Sequence, residues 1–355
     1  MSVKSSEQVT NLVFLRKYQF LMSLKKTAKD WMLPISMTVG AAIYLIYHFS
    51  PILHPAGPAL ERTVRLVQPL IIFAMLFLTF CRIEPKDLKP HRWHWWLLLI
   101  QGGSFTLLGL AILAIKRFLP GEESCIVLIE SAMLCLICPT ATAAAVVTKK
   151  LGGDVAGITT YTILINLLTA AVVPAVVPLI QPLAGVDFIT AFSMILAKVF
   201  PLLILPCFCA WLIRYLLPRL HRKLAKNADF AFYIWAVGLC LAIVVTTKSI
   251  VHSTLGAGLL LSIAGVSLIC CVLQFWLGHV SGCIYDRMRR GESMLKSREI
   301  TCGQSLGQKN TVFAIWMGYT FLTPETSIAG GLYSIWHNLY NSWQIYREEN
   351  RDTKQ

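Results

Sequence analysis

Glu299–Gly318, EITCGQSLGQKNTVFAIWMG, is the stretch whose reading decides the fold. It is apolar enough to enter a membrane. Its middle, Gly303-Gln304-Ser305-Leu306-Gly307-Gln308-Lys309-Asn310-Thr311, nevertheless combines two glycines, two glutamines, a lysine and an asparagine. A continuous lipid-facing helix does not tolerate such a run. Backbone that leaves the helix at membrane depth survives only where protein covers it or a wet cavity solvates it. An ionisable side chain there is costly and by default marks a functional site. The competing reading is a lysine that snorkels from a helix end. Roughly ten apolar or polar-neutral residues flank Lys309 on each side, about half a bilayer of helix, and this favours burial.

The rest of the chain agrees with a membrane setting. Its 355 residues are 56% hydrophobic and 14% charged, with mean hydropathy +0.62. Soluble domains average about 25% charged residues. No soluble domain of useful size is left over. Ten spans are expected, at 31–50, 66–82, 94–115, 124–149, 155–181, 188–214, 228–248, 256–284, 298–321 and 327–346, each near the ~20 residues a bilayer needs or longer if tilted. With the N-terminus inside, the cytoplasmic segments hold 25 of the 32 lysines and arginines and the outer loops 5. The other two, Lys198 and Lys309, fall within spans. The positive-inside rule is thus met with both termini cytoplasmic. The formal charge of +14 serves orientation and contact with the lipid bilayer, so no nucleic acid partner is expected. A multi-pass protein of the cell (inner or plasma) membrane follows.

Residues 1–30 are basic, with Lys4, Arg16, Lys17, Lys25, Lys26 and Lys29 between apolar residues. A surface-lying amphipathic helix and a plain cytoplasmic tail both fit. The length of this mixed, basic sequence before the first apolar run argues against a signal peptide. Residues 347–355 form a short cytoplasmic tail. The eleven cysteines lie mostly within apolar runs. Cys135 and Cys138 are spaced C-x-x-C inside a hydrophobic helix, with no second pair. They read as small apolar fillers rather than a metal or redox site, and no cofactor is expected. Trp93-His94-Trp95-Trp96 sits at an expected interface, where amphipathic rings are favoured.

The fourth span is interrupted as well, by Cys138-Pro139-Thr140-Ala141-Thr142. Proline deletes a helix hydrogen bond and clashes with the preceding turn, and the threonine hydroxyls can cap freed amides. Interrupted hydrophobic segments at corresponding positions of two halves point to a transporter site. The expected fold is therefore all-α and polytopic. Ten helices form two inverted five-span repeats, 31–181 and 182–346, with broken helices in the fourth and ninth spans. The half-helix N-termini at the breaks suit a substrate carboxylate or sulfate. Thr140, Thr142, Asn310 and Thr311 lie there, and Asn166 puts another amide inside a span; these are the candidate substrate-binding residues.

Three stretches resemble motifs of the bile acid:sodium symporter family. They are CPTATAAAVVTKKLGGDVAGITTYT (Cys138–Thr162), GQSLGQKNT (Gly303–Thr311) and GLYSIWHNLYNSW (Gly331–Trp343). The resemblance covers most of residues 31–346 in order and spacing. It implies a panel domain and a core domain, crossing of the fourth and ninth spans, elevator-like or rocking alternating access, and an organic anion as substrate. It also locates the places where family members hold sodium, and there the chain departs. A Ser-Asn pair of the fourth span is Ala144 and Ala145 here. Two hydroxyl positions of the fifth are Ile158 and Thr162. The ninth-span glutamate is Ser305 and a ninth-span glutamine is Lys309. Gln101 matches a third-span glutamine.

Sodium needs several converging oxygens, and alanine and isoleucine supply none. Lysine is donor-only and brings its own charge. Two cations at close range repel by several kcal/mol even at an effective dielectric near 20, about 4 kcal/mol at 4 Å. The expectation is that neither sodium site operates. Instead the Lys309 ammonium stands in the ion's place, bonded to carbonyls of the crossing and to Gln101 and Ser305. A permanently charged lysine makes a uniporter or exchanger. One that sheds and regains its proton makes a proton-coupled transporter, and both stay open. A sodium-coupled symporter with rearranged ligands and a non-transporting membrane sensor are the alternatives. An enzyme is not expected, since neither H-E-x-x-H nor paired membrane aspartates occur.

Four further residues carry expectations. Glu130, an intramembrane acid, needs a partner or a proton; Lys198, Lys309 or a coupling role would each satisfy it, and a protonated or interface-facing acid is the alternative. Asp154 is expected to cap the fifth span. His337 and Asn338 are expected to hold the tenth span to the core by a hydrogen bond, with substrate contact as the alternative.

Overall fold

A computed structural model describes residues 31–226, 228–288 and 295–352. The basic segment 1–30 and its expected helix lie outside the described residues. The helices are α1 (Met32–Phe49), α2 (Gly57–Phe80), α3 (Arg92–Phe118), α4 (Glu123–Ile137), α5 (Ala144–Lys150), α6 (Val155–Ile180), α7 (Phe188–Leu203), α8 (Leu205–Leu216), α9 (Pro218–Lys226), α10 (Ala228–Val251), α11 (Ala257–Met288), α12 (Leu295–Gly307), α13 (Thr311–Phe321) and α14 (Thr326–Asp352). No strand occurs among the described residues.

Seven stretches among the described residues are long and apolar enough to cross a membrane. They correspond to the expected spans one, two, three and five to eight. The fourth and ninth are each in two pieces, α4 with α5 and α12 with α13, the longest of them 15 residues. α14 is 27 residues long but ends in the polar run Arg347–Asp352. The second span starts at Gly57, ahead of the expected 66, because Pro58 initiates the helix. The sixth is interrupted at Ile204, between Pro201 and Pro206. Arg214–Lys226, expected as a loop, contains the basic helix α9.

The helices pack in two groups. One holds α1, α2, α8 and α10; the other holds α3, α4, α6 and α11–α14; α7 packs on α6 and also touches α2 and α8. The main buried cluster joins them through Leu76 and Phe80 of α2, Phe105 of α3, Met133 of α4 and Phe313 of α13. The periphery is apolar: Leu261 is 73% exposed and Leu107 67%. Water would penalise so extensive a surface and lipid covers it. The aromatic cluster divides. Trp95 and Trp96 face outward, whereas Trp93 and His94 are buried. His94 Nδ1 accepts from the His91 amide at 2.7 Å and Nε2 donates to the Gly157 carbonyl at 3.0 Å, tying α3 to α6. Asp154 caps α6 as expected, accepting from the Gly157 amide at 3.0 Å.

Candidate functional site at the crossing of two broken helices

Proline at 139 has no amide to continue α4, which ends at Ile137. α12 ends at Gly307. The two exposed backbones then meet. The Asn310 amide donates to the Pro139 carbonyl and the Ala141 amide to the Gln308 carbonyl, both at 2.8 Å. Thr140 and Lys309 thereby form an antiparallel bridge. The Thr140 hydroxyl donates to the Ser305 carbonyl at 2.8 Å. Each break supplies the hydrogen bonds that the other lost, which is how irregular backbone survives away from water.

The carboxyl end of α4 collects donors. Lys309 Nζ donates to the Leu136 carbonyl at 3.0 Å. The Gln101 amide donates to Ile137 O at 3.1 Å and Cys138 O at 2.8 Å. Its own oxygen accepts from the Tyr161 hydroxyl at 2.8 Å, which fixes the amide's orientation. Thr169 adds a bond to Ile137 O at 3.2 Å. A helix carboxyl terminus carries partial negative charge, so an ammonium there is favourably placed. Lys309 is 1% exposed and lies among the thiols of Cys135, Cys138, Cys270 and Cys271. Among the described residues no carboxylate pairs with it.

Several expectations need correction here. Lys309 bonds neither Gln101 nor Ser305. Gln101 is occupied by the end of α4, and Ser305 Oγ is buried without a partner. Ser305 lies on the last turn of α12, while Lys309 lies beyond the end of that helix. Thr162 turns its hydroxyl back to Ile158 O of its own helix at 2.9 Å. Ala144 is fully buried and Ala145 half-buried, and both present only methyl groups. Glu130, fully buried, pairs with no lysine. It accepts from Gln181 Nε2 at 2.6 Å and from the Thr323 amide at 3.1 Å. Lys198 instead sits 5.7 Å over the Phe321 ring.

A narrow cleft of about 30 Å³ opens beside the crossing. Thr142, Lys309, Asn310 and Thr311 line it, together with Gln308 and His337. Met75 and Trp235 close it from the other helix group. That volume holds a water or two and excludes a steroid. Three polar atoms of its lining are buried without partners: Asn310 Nδ2, His337 Nδ1 and Gln308 Oε1. The Asn310 oxygen is used, capping α13 by accepting from the Phe313 amide at 3.2 Å. Thr140 is spent on the crossing. Asn166 is absent from the lining and donates to Thr162 O of its own helix at 2.8 Å. His337 makes no bond holding α14 to the core, and Asn338 Nδ2 bonds Ser334 O of its own helix at 2.7 Å. Sequence reasoning does not single out Gln308 for binding and ranks a structural bond above substrate contact for His337. The one signal for them was position, beside Lys309 and inside the Gly331–Trp343 motif.

No curated protein matches the chain. The family model of the SBF-like CPA transporter family matches residues 35–347, most of its length. With the membrane-length helices and the two broken segments, this match makes the chain a multi-pass membrane transporter of the SBF-like CPA transporter family, related to the bile acid:sodium symporters.

Proposed function

We propose that the chain carries an organic anion by alternating access, without sodium, and that Lys309 supplies the positive charge a metal ion would bring. The observation that carries this reading is the Lys309 bond to Leu136 O at 3.0 Å inside a buried cleft, with no compensating carboxylate among the described residues. A buried cation without a counter-ion is expensive, and an anionic substrate is the partner that offsets it. The unpaired donors Asn310 Nδ2 and His337 Nδ1 add hydrogen bonds for its oxygens. The cleft in this conformation holds only a water or two, so admitting an organic anion requires the two helix groups to separate. Ten crossings, formed as two inverted repeats over 31–181 and 182–346, belong to the same reading. The paired breaks at α4–α5 and α12–α13 support them.

With both termini cytoplasmic, the cleft opens toward the cytoplasm. Its outer counterpart is closed by a polar cluster. Lys248 Nζ lies 3.0 Å from Glu61 and 3.2 Å from the Tyr319 hydroxyl, and that hydroxyl lies 3.3 Å from Glu61. Glu61 and Lys248 belong to α2 and α10 of one helix group, and Tyr319 to α13 of the other. These side chains are about a third exposed, so the cluster is worth about 1 kcal/mol after screening. Lys248→Met is expected to raise amide hydrogen exchange around residues 319–326 about fivefold. Mass spectrometry of exchanged peptides checks this, and unchanged exchange there removes the cluster as a gate.

The function itself is tested by uptake of a panel of organic anions into proteoliposomes under imposed sodium or proton gradients. Uptake of a small carboxylate or sulfate that ignores the sodium gradient is expected. Sodium-stimulated uptake by the unmodified protein overturns the reading. Stimulation by an inward proton gradient assigns the proton-coupled form.

A further inference from the structure

A second cluster of chemistry-bearing side chains lies away from the cleft, where α11 packs on α12. His279 and Cys283 are four residues apart on α11, hence on one face. Glu299 faces them from α12. One ligand atom from each of the three lies within 4.8 Å of the others. Cys283 Sγ is 3.0 Å from Glu299 Oε1, and His279 Nε2 is 3.6 Å from Glu299 Oε2. Neither helix carries the set alone.

The packing that brings them together is unusually close. A Cβ on Gly278 would lie 2.3 Å from the Cys302 carbonyl oxygen, and one on Gly282 would lie 2.8 Å from the Glu299 Cα. The small-x-x-x-small pattern Gly278–Gly282 thus lets the helix backbones touch. His279 and Cys283 each follow one of these glycines directly, so the same contact that joins the helices aims the ligands. The Arg298–Asp286 ion pair fixes the adjoining turn of α12.

We infer that His279, Cys283 and Glu299 form a binding site for a borderline-soft divalent ion of the zinc type. Imidazole, thiolate and carboxylate are the donors Zn²⁺ takes at about 2.0–2.3 Å. Tetrahedral bonds of that length place donor atoms about 3.3–3.6 Å apart; the three ligand atoms here lie within 4.8 Å of one another, with Sγ 3.0 Å from one Glu299 oxygen and Nε2 3.6 Å from the other, so small side-chain shifts complete the site. The thiolate selects against magnesium and calcium. Three protein ligands leave the fourth coordination position open, on the side where the His279 ring is 55% exposed. Binding releases the thiol proton. The ion staples α11 to α12, the helix that leads into the ninth-span break.

The test uses the full-length protein in detergent, without a polyhistidine tag, titrated with Zn²⁺ and with Co²⁺ as spectroscopic probe. One ion per chain is expected, with a sulfur-to-cobalt charge-transfer band in the near ultraviolet and a Zn²⁺-dependent rise in melting temperature. Cys283→Ser should abolish the band. His279→Ala, at an exposed position that does not threaten folding, should weaken Zn²⁺ binding by at least about 100-fold, since even losing a supporting partner costs about 10–100-fold. Absence of saturable one-to-one binding overturns the site. So does equal Zn²⁺ affinity in the unmodified protein and His279→Ala, which would place the ion among the other cysteines.

Discussion

Lys309→Gln is expected to raise the KM for the transported anion at least about tenfold, and up to about 100-fold, in proteoliposome uptake. The range follows from the net worth of a hydrogen bond to a charged group, about 1.5–3 kcal/mol. The bond in question is the one from the Lys309 ammonium to the substrate anion, with the ammonium held in place by its 3.0 Å contact to Leu136 O. The variant loses two things together. The carboxyl end of α4 loses its cationic partner, and the cleft loses its positive charge. The attraction between a unit anion and this ammonium at about 4 Å is roughly 4 kcal/mol at an effective dielectric of 20, so the charge is the larger of the two losses. Lys309→Arg keeps the charge in a planar fork that does not fit a point contact, and an intermediate KM is expected. Combining Ser305→Glu with Lys309→Gln restores a carboxylate and removes the amine. That pair is expected to gain a response to sodium. Unchanged KM in Lys309→Gln would remove the ammonium from the mechanism.

Glu130→Ala is expected to destabilise the protein by about 1.5–3 kcal/mol or more, because two bonds to one carboxylate are lost. One comes from Gln181 Nε2 at 2.6 Å and the other from the Thr323 amide at 3.1 Å. The carboxylate thus ties the end of α6 to the turn between α13 and α14. Gln181 also reaches the Thr323 hydroxyl at 3.3 Å, so the three residues form one network. Thermal unfolding of the purified variant beside the unmodified protein measures the loss. Glu130→Gln retains an acceptor for the Thr323 amide and is expected to be milder. The pH profile of its uptake should match that of the unmodified protein. A shifted profile would return Glu130 to the coupling role that an intramembrane acid suggests on sequence grounds.

Those two residues also show where sequence reasoning ended. The flanks of Lys309 alone point to a buried lysine, and it is 1% exposed. Glu130 reads as an acid in need of a partner or a proton, and it is fully buried, but the partners that the sequence offers for it are lysines. Its actual partners, Gln181 and Thr323, lie 51 and 193 positions away in the chain. No periodicity reports such pairings. The same holds for His337, read as a structural residue and found with Nδ1 unpaired in the cleft lining. It holds again for Glu299, which joins His279 and Cys283 only because two glycines let α11 and α12 meet.

What the sequence determined by itself is local in origin. Hydropathy and span length set a membrane protein; Pro139 with its flanking threonines and the polar run Gly303–Thr311 mark the two breaks, because a lost helix hydrogen bond and an ionisable group are both costly at membrane depth unless protein covers them. The tertiary structure alone decided which atom answers which. The Leu136 carbonyl takes the lysine, 173 residues away, and the Ser305 carbonyl takes Thr140, 165 residues away. The physical reason is that a buried polar atom accepts whatever donor the packing delivers within about 3 Å, and packing is a property of the assembled helices rather than of any one of them.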